Sequence, residues 1–455
     1  MPRPSQPPSS APSQPVRLAD EQQRAVRPDR RLLRDWFIES RRQTLDLLAK
    51  VSDADFRRQA HPDFSPVGWH LGHIGVTEGY WILQRCEGRA CLSDAYEQFF
   101  SPTENPKTNR INLPDRAAIL AYLGTVREHM LAVLDRTDFP ESHPLLQQAR
   151  IFRMLLQHEA QHQETMTLVL QLLAADRVGP SPCPTEGGHG SLPGQDQMLR
   201  VPAGPFPMGS NSLAETLDNE RARHEVEVGE FWIDRYPVTN AQFARFVRDG
   251  GYHRRAWWSS EGWEWREKNA VEHPRYWRQQ PGGGWALVGL TRARPLAPDH
   301  PVMGVSWYEA EAYARAVGKR LPTEAEWEKA ASWDPVHGCK RAYPWGEAQP
   351  GPQRCNSDAR RDGTSPVQHH PAGASAYGCM DMQGNAWEWT ATWFQPYPDF
   401  CAYPYDGYST PYFDRHHRVL RGGSWATRSH VLRPTFRNWY HPWVREIFAG
   451  FRCAR

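Results

Sequence analysis

Apolar positions divide the chain into two textures. From Arg30 to about Ala175 they recur at helical intervals, and beyond about residue 200 they come in short stretches separated by Gly, Pro, Asp and Asn. In the first part, Leu32, Leu33, Trp36 and Phe37 with Leu45, Leu47 and Leu48 predict one amphipathic helix. A second opens at Ser65-Pro66, with Pro66 in the first turn behind a Ser cap, and carries His70, His73, Tyr80 and Trp81. A third runs from Asp115 to about Leu134. A fourth runs from Arg150 to Leu173, without Pro or Gly and with Ile151, Met154, Leu155, Leu168 and Leu172 on its apolar stripe. Four long helices joined by loops predict an all-α bundle over residues 29–176. A stretch holding Pro180, Pro182, Pro184, Gly187 and Gly188 reads as a linker over 177–199. Residues 200–455 read as an irregular α+β domain whose clearest helices are Trp307–Ala316 and Glu324–Ala331.

Composition sets the outer limits. A chain of 455 residues exceeds one typical core, which agrees with two domains. Only 39% of residues are hydrophobic, but 20 Trp, 17 Phe and 16 Tyr bury large areas per residue. Net charge is +2 with both signs interspersed, so neither a nucleic-acid stripe nor a membrane-surface face stands out. No apolar run approaches the length needed to span a bilayer. Residues 1–28, rich in Pro, Ser and Gln, are expected to form a disordered leader without a signal-peptide core. Eight scattered cysteines with no CxxC pair argue against a zinc ribbon and fit reduced thiols in a cytoplasm.

The candidate chemistry lies in Gln157-His158-Glu159-Ala160-Gln161-His162-Gln163-Glu164 on the fourth helix. Residues four apart share a helix face, so His158 and His162 project together. That pair suits a divalent transition metal bound at roughly 2.0–2.2 Å, and it is equally compatible with two solvated side chains. A catalytic metal site takes three protein ligands. The second helix offers His70 and His73, which at three-residue spacing do not both face the core as readily, so one of the two is the expected third ligand.

Longer motifs carry a resemblance. Trp69-His70-Leu71-Gly72-His73-Ile74 with His158-Glu159-Ala160-Gln161-His162-Gln163-Glu164-Thr165 resembles the DinB-like bundle of the ergothioneine-type sulfoxide synthases. Five further stretches are similar to the formylglycine-generating-enzyme fold, itself related to C-type lectin domains. They are Val201–Gly209, Tyr236–Asn240, Arg320–Glu328, Gly384–Trp389 and Arg421–Trp425. Most residues of these second-domain motifs read as scaffold: Gly for turns, Trp for packing, Arg–Glu pairs for loops. The resemblance covers residues 30–455, and the order of the two domains is more specific than either motif alone. It implies an iron(II)- and O2-dependent enzyme that joins a chalcogen to C2 of the imidazole ring of hercynine, Nα-trimethylated histidine. It assigns His73, His158 and His162 to the metal and leaves His70 as a partner for a ligating ring. Glu159 and Glu164 are not counted as ligands. It further implies that Gln161 lies near the substrate imidazole, Asn438 at its carboxylate and Trp439 at its ammonium, the last by cation–π attraction. A tyrosine of the loop Phe400–Pro411 is the implied proton donor, Tyr405 first and Tyr408 second.

The sequence departs from the family at the donor end. Where the γ-glutamylcysteine-using form has two arginines and an aspartate, this chain has Lys107, Arg110 and Tyr440. Lysine lacks the planar two-point clasp of arginine on a carboxylate. The cysteine-using form has a tyrosine pair where this chain has Phe99-Phe100. These departures point to a neutral, hydroxylated donor, as in the selenoneine synthase branch, which takes a selenosugar; the alternative is a C–S bond to cysteine or γ-glutamylcysteine. A formylglycine-forming oxidase would need a cysteine pair after Arg-Gly-Gly-Ser-Trp, and Ala426–His430 contains none. A DinB-type zinc transferase or hydrolase and a lectin-like binding module are the remaining rivals.

Overall fold

The computed structural model describes residues 28–49, 51–177, 196–281 and 283–455. The expected leader up to residue 27 and most of the expected linker, 178–195, lie outside the described residues.

The bundle is built from α1 (Arg30–Leu48), α2 (Asp53–Arg57), α3 (Val67–Glu78), α4 (Asp94–Phe100), α5 (Arg116–Arg136) and α6 (Arg150–Arg177). The four long helices are α1, α3, α5 and α6; α2 and α4 are single turns or little more, too short for a periodic signal. Asp29 caps α1 and Asp115 caps α5, each carboxylate accepting from first-turn N–H groups. The Ser cap expected for α3 is absent. Pro66 precedes that helix without a side-chain cap, and Ser65 Oγ instead accepts from Arg110 Nη1 at 2.8 Å. Past Glu78 the helix continues to Cys86 as a π-helical segment. Helix α3 packs between α5 and α6, and α1 packs on α6.

Helix α5 is the one described helix long and apolar enough to cross a membrane by length and composition. Its Ile119, Leu123, Met130 and Leu134 are buried in the bundle, and its Arg127 sits in a buried ion network. Arg127 Nη2 and Arg41 Nε donate to opposite oxygens of Glu159 at 2.6 and 2.9 Å, and both arginines also pair with Glu78. Burial alone raises the Glu159 carboxyl, but the two guanidinium groups outweigh it and hold it at about 2. Glu159 therefore anchors α6 to α1 and α5, on a face beside that of its two histidines.

The second domain begins with the strand Met198–Val201, two residues before the expected boundary. Besides the two predicted helices, α9 (Trp307–Ala316) and α10 (Glu324–Ser332), it contains α7 (Asn240–Arg248) and α8 (Ser260–Lys268). Its largest sheet runs Arg437–Tyr440, Arg418–Arg421, Trp387–Trp393, Ala449–Gly450, antiparallel except for the last pairing. The motif residues read as scaffold behave as such: Trp327 Nε1 and Arg452 Nε both donate to the buried Glu388, and Arg437 pairs with Glu324. The seven described cysteines are unpaired.

The domains meet along α6. Glu164 accepts from Ser424 Oγ at 2.5 Å, Thr427 Oγ1 at 2.6 Å and Trp387 Nε1 at 2.8 Å, and Gln163 accepts from Arg428. Beside Ser424, Gly423 is held close to Leu432 of its own domain. Its φ of +80° suits glycine, and a Cβ there would lie 2.4 Å from Leu432 Cδ2.

Candidate metal centre

Helix α6 presents His158 and His162 toward α3, which supplies His73. One nitrogen of each ring lies within 4.8 Å of the others. His158 Nε2 is 3.3 Å from His73 Nε2 and 3.1 Å from His162 Nε2. His73 Nδ1 lies 2.8 Å from the carbonyl of Phe100. A carbonyl only accepts, so that nitrogen carries the proton and His73 Nε2 presents a lone pair. A ring nitrogen holds at most one proton, so His158 Nε2 cannot direct one at both neighbours. Protons alone thus leave at least one of the two contacts without a well-directed hydrogen bond, whereas a divalent cation at the common point would satisfy all three nitrogens. Burial pushes His73 down to about 4 and His158 and His162 well below the usual range, with neighbouring imidazoles adding to the last two. Three neutral imidazoles with converging ring nitrogens form a donor set that suits a transition metal.

The outer partners are placed as firmly. His162 Nδ1 lies 2.9 Å from Nδ1 of His70, which is buried. Trp69 stacks on His73 with ring centres 4.8 Å apart and planes 10° apart, and the Arg110 guanidinium lies over the Trp69 ring, 3.9 Å from its centre. Across the domain boundary, Tyr408 donates its hydroxyl proton to Gln161 Oε1 at 3.1 Å. Gln161 Nε2 is buried without a hydrogen-bond partner among the described residues. Asn438 and Trp439 lie on an outer strand of the large sheet. Trp439 stacks on Phe394 at 4.2 Å and is met by Tyr412 at 5.4 Å and by the edge of Tyr408 at 6.0 Å.

Residues 37–166 match the model of the DinB superfamily, and residues 190–455 that of the sulfatase-modifying factor enzyme 1-like domain. The hercynine oxygenase of Mycolicibacterium smegmatis is 41% identical over 437 residues, covering 93% of this chain and 99% of its own. Those of Mycolicibacterium thermoresistibile and Mycobacterium tuberculosis are 41% and 39% identical, over 94% and 91% of this chain and 95% and 96% of theirs. The chain belongs to the ergothioneine-type sulfoxide synthase family. It is an oxidoreductase.

Within this sulfoxide synthase fold, the residues expected from sequence fall into two groups. His73, His158, His162 and Gln161 come together with Tyr408 at the domain boundary. Tyr405, the first choice on the loop, is 46% exposed and tilts against Trp81 at 5.7 Å. Lys107 is exposed and donates to the carbonyl of Asp63 at 2.7 Å. Arg110 donates to Asn105 O, Ser65 Oγ and Pro102 O at 2.8–2.9 Å. Tyr440 is half-buried, its ring 6.5 Å from Phe64, with its phenol pushed up by burial. The Glu159 carboxylate is taken up by Arg41 and Arg127, and that of Glu164 by Ser424, Thr427 and Trp387. Phe394 and Tyr412 have no signal of their own in the sequence, and Trp69, though part of the second-helix motif, has none for its stacking role. Their roles depend on stacking partners that only the fold brings near.

Proposed function

We propose that the protein oxidises hercynine with O2 and bonds a chalcogen atom to C2 of its imidazole ring, with iron(II) held by His73, His158 and His162. The balance is hercynine plus RSH plus O2 giving the C2-sulfoxide plus water; the C2 proton and the thiol proton leave in the water. The observation that carries the reading is the meeting of three lone-pair imidazoles with Gln161, Tyr408 and Trp439 in a chain about 40% identical to hercynine oxygenases over nearly its whole length. The metal, when bound, supplies the one-electron chemistry that dioxygen needs.

The chain's own residues do the rest. Gln161 Nε2 is available to donate to a substrate ring nitrogen. The faces of Trp439 and Tyr412 suit a trimethylammonium, which offers no N–H, at ~0.5–2 kcal/mol per good contact. Asn438 Oδ1 accepts from the Trp439 N–H at 2.9 Å, which turns its amide nitrogen outward for a carboxylate. Burial pushes the Tyr408 phenol up, so it stays protonated and serves as a proton donor.

Family membership supports a thiol donor and a sulfoxide product. A second reading, a selenosugar donor and a C–Se bond, is favoured by one observation. Arg110 and Lys107 already donate to protein carbonyls and a hydroxyl, and Tyr440 supplies a phenol where an amino-acid donor's ammonium would want a carboxylate. Iron(II) protein loaded anaerobically with hercynine, then given O2 with γ-glutamylcysteine, cysteine or 1-seleno-β-D-glucose, tests both. Hercynine consumed with a stoichiometric chalcogen adduct is the expected result. Product from an amino-acid thiol alone ends the selenosugar reading, and no O2-dependent loss of hercynine with any donor ends both.

A further inference from the structure

The loop that carries Tyr408 has little structure of its own, only one short 3-10 turn at Thr410–Tyr412. What fixes it is a second 3-10 turn, Asp218–Glu220, far away in sequence. Asp218 is fully buried, and its two oxygens take different points of the loop. Oδ1 accepts from Ser409 Oγ at 2.6 Å and Oδ2 from the Tyr403 N–H at 3.3 Å. Asn219 Nδ2 donates to Ser409 Oγ at 3.0 Å, so the hydroxyl has one direction left for its proton. The same turn also reaches α6. Glu220 accepts from Arg433 Nε at 2.8 Å and Thr435 Oγ1 at 2.6 Å, and Arg433 Nη2 donates to Gln157 Oε1 at 2.8 Å. Gln157 adjoins His158, and Ser409 adjoins Tyr408. One three-residue turn therefore spans from the metal-ligand helix to the tyrosine loop.

We propose that Asp218 is a positioning residue that holds the Tyr408 hydroxyl against Gln161 by tying Ser409 and Tyr403 to the turn Asp218–Glu220. Its role in turnover rests on the function proposed above. A carboxylate is required because it is acceptor-only: an amide in its place would turn an N–H group toward either Ser409 Oγ or the Tyr403 N–H. A buried carboxylate with no cation among its hydrogen-bond partners is costly, and it makes sense only where two donors must be met at once.

The test uses full-length, metal-loaded Asp218→Asn and Ser409→Ala proteins, with 3-fluorotyrosine placed at position 408. In both variants the fluorine NMR signal should shift or broaden relative to the parent. kcat should fall on the order of 10- to 100-fold for Asp218→Asn, as for a misplaced catalytic group, and less for Ser409→Ala. Hercynine KM and bound metal should stay within about twofold, which a general loss of structure would not allow. Combining the two substitutions should cost little beyond Asp218→Asn alone, because they break one link. An unchanged fluorine signal in Ser409→Ala overturns the proposal whatever happens to activity. A changed signal in a protein whose parent does not turn over hercynine leaves the positioning role standing and removes the proposed function.

Discussion

Tyr408 donates its hydroxyl proton to Gln161 Oε1 at 3.1 Å, joining a loop of one domain to the residue between two candidate metal ligands of the other. Tyr405, three positions earlier, is partly exposed and packs its ring against Trp81. The two tyrosines should therefore separate on mutation. Tyr408→Phe should lower kcat on the order of 10²-fold or more, the scale of a lost general acid. Tyr405→Phe should stay within about threefold. Steady-state rates on proteins of equal metal content decide it, and a larger loss at Tyr405 would reverse the assignment.

His70 Nδ1 lies 2.9 Å from His162 Nδ1, the ring nitrogen of His162 that is not the one facing His158. Partners of this kind orient a ligating imidazole and fix its tautomer, and losing one typically costs 10–100-fold in metal affinity. His70→Ala should weaken iron(II) binding by about that factor, with the fold intact by circular dichroism. His73→Ala should abolish tight binding. Anaerobic competition with a chelator measures both without reference to turnover.

Much of this site was legible in the sequence because helical periodicity is local. A spacing of four puts His158 and His162 on one face whatever surrounds them. What was not legible depends on contacts between distant segments. Ser65 reads as a helix cap, yet it serves Arg110, 45 residues on. Periodicity cannot rank Tyr405 against Tyr408, because where each ring sits depends on loop contacts such as those of Ser409 and Tyr403 with Asp218, almost 200 positions away. Helix α8 carries no clear apolar stripe and has Gly262 in its first turn, whereas α7, no shorter than α10, does carry a signal in Phe243 and Phe246 behind the Thr239 cap.

Trp439 is held on one side by Phe394 and flanked by Tyr412 and Tyr408, so its remaining surface is preset for a cation. Trp439→Leu keeps bulk and removes the ring. The KM for hercynine should rise about 3- to 30-fold, matching ~0.5–2 kcal/mol of cation–π attraction, while Trp439→Phe recovers most of it. Histidine lacking the three methyl groups should bind both proteins poorly and nearly equally.

Arg110 stacks on Trp69, which stacks on His73, and its three nitrogens all donate within the bundle. Arg110→Gln should thus lower metal retention and thermal stability, with little selective effect on the KM of a carboxylate-bearing donor. A large rise in that KM with metal content unchanged would restore Arg110 to the donor-binding role expected from sequence.

The last prediction concerns pH. Burial pushes the Asp218 carboxyl up to about 6, despite the hydrogen bonds from Ser409 and Tyr403 that lower it and with Glu220 adding a further raise. The other groups facing it are Tyr405, Tyr408 and Arg150. Protonation would turn one acceptor into a donor and release one end of the tie, so kcat at saturating hercynine should fall as pH drops from 7 through about 6. Burial holds His73 at about 4, so that ligand stays neutral across this window. Stability moves the other way. A folded-state value above the ordinary one of 3.8 means that the neutral form suits the fold, so this group's destabilisation is present above about pH 6 and is relieved as pH falls toward 3.8. Activity should therefore fall over pH 7 to 5 without a matching fall in thermal midpoint from this carboxyl. In Asp218→Asn the fall centred near 6 should vanish from the ratio of rates, and if it persists unchanged the titrating group is another one.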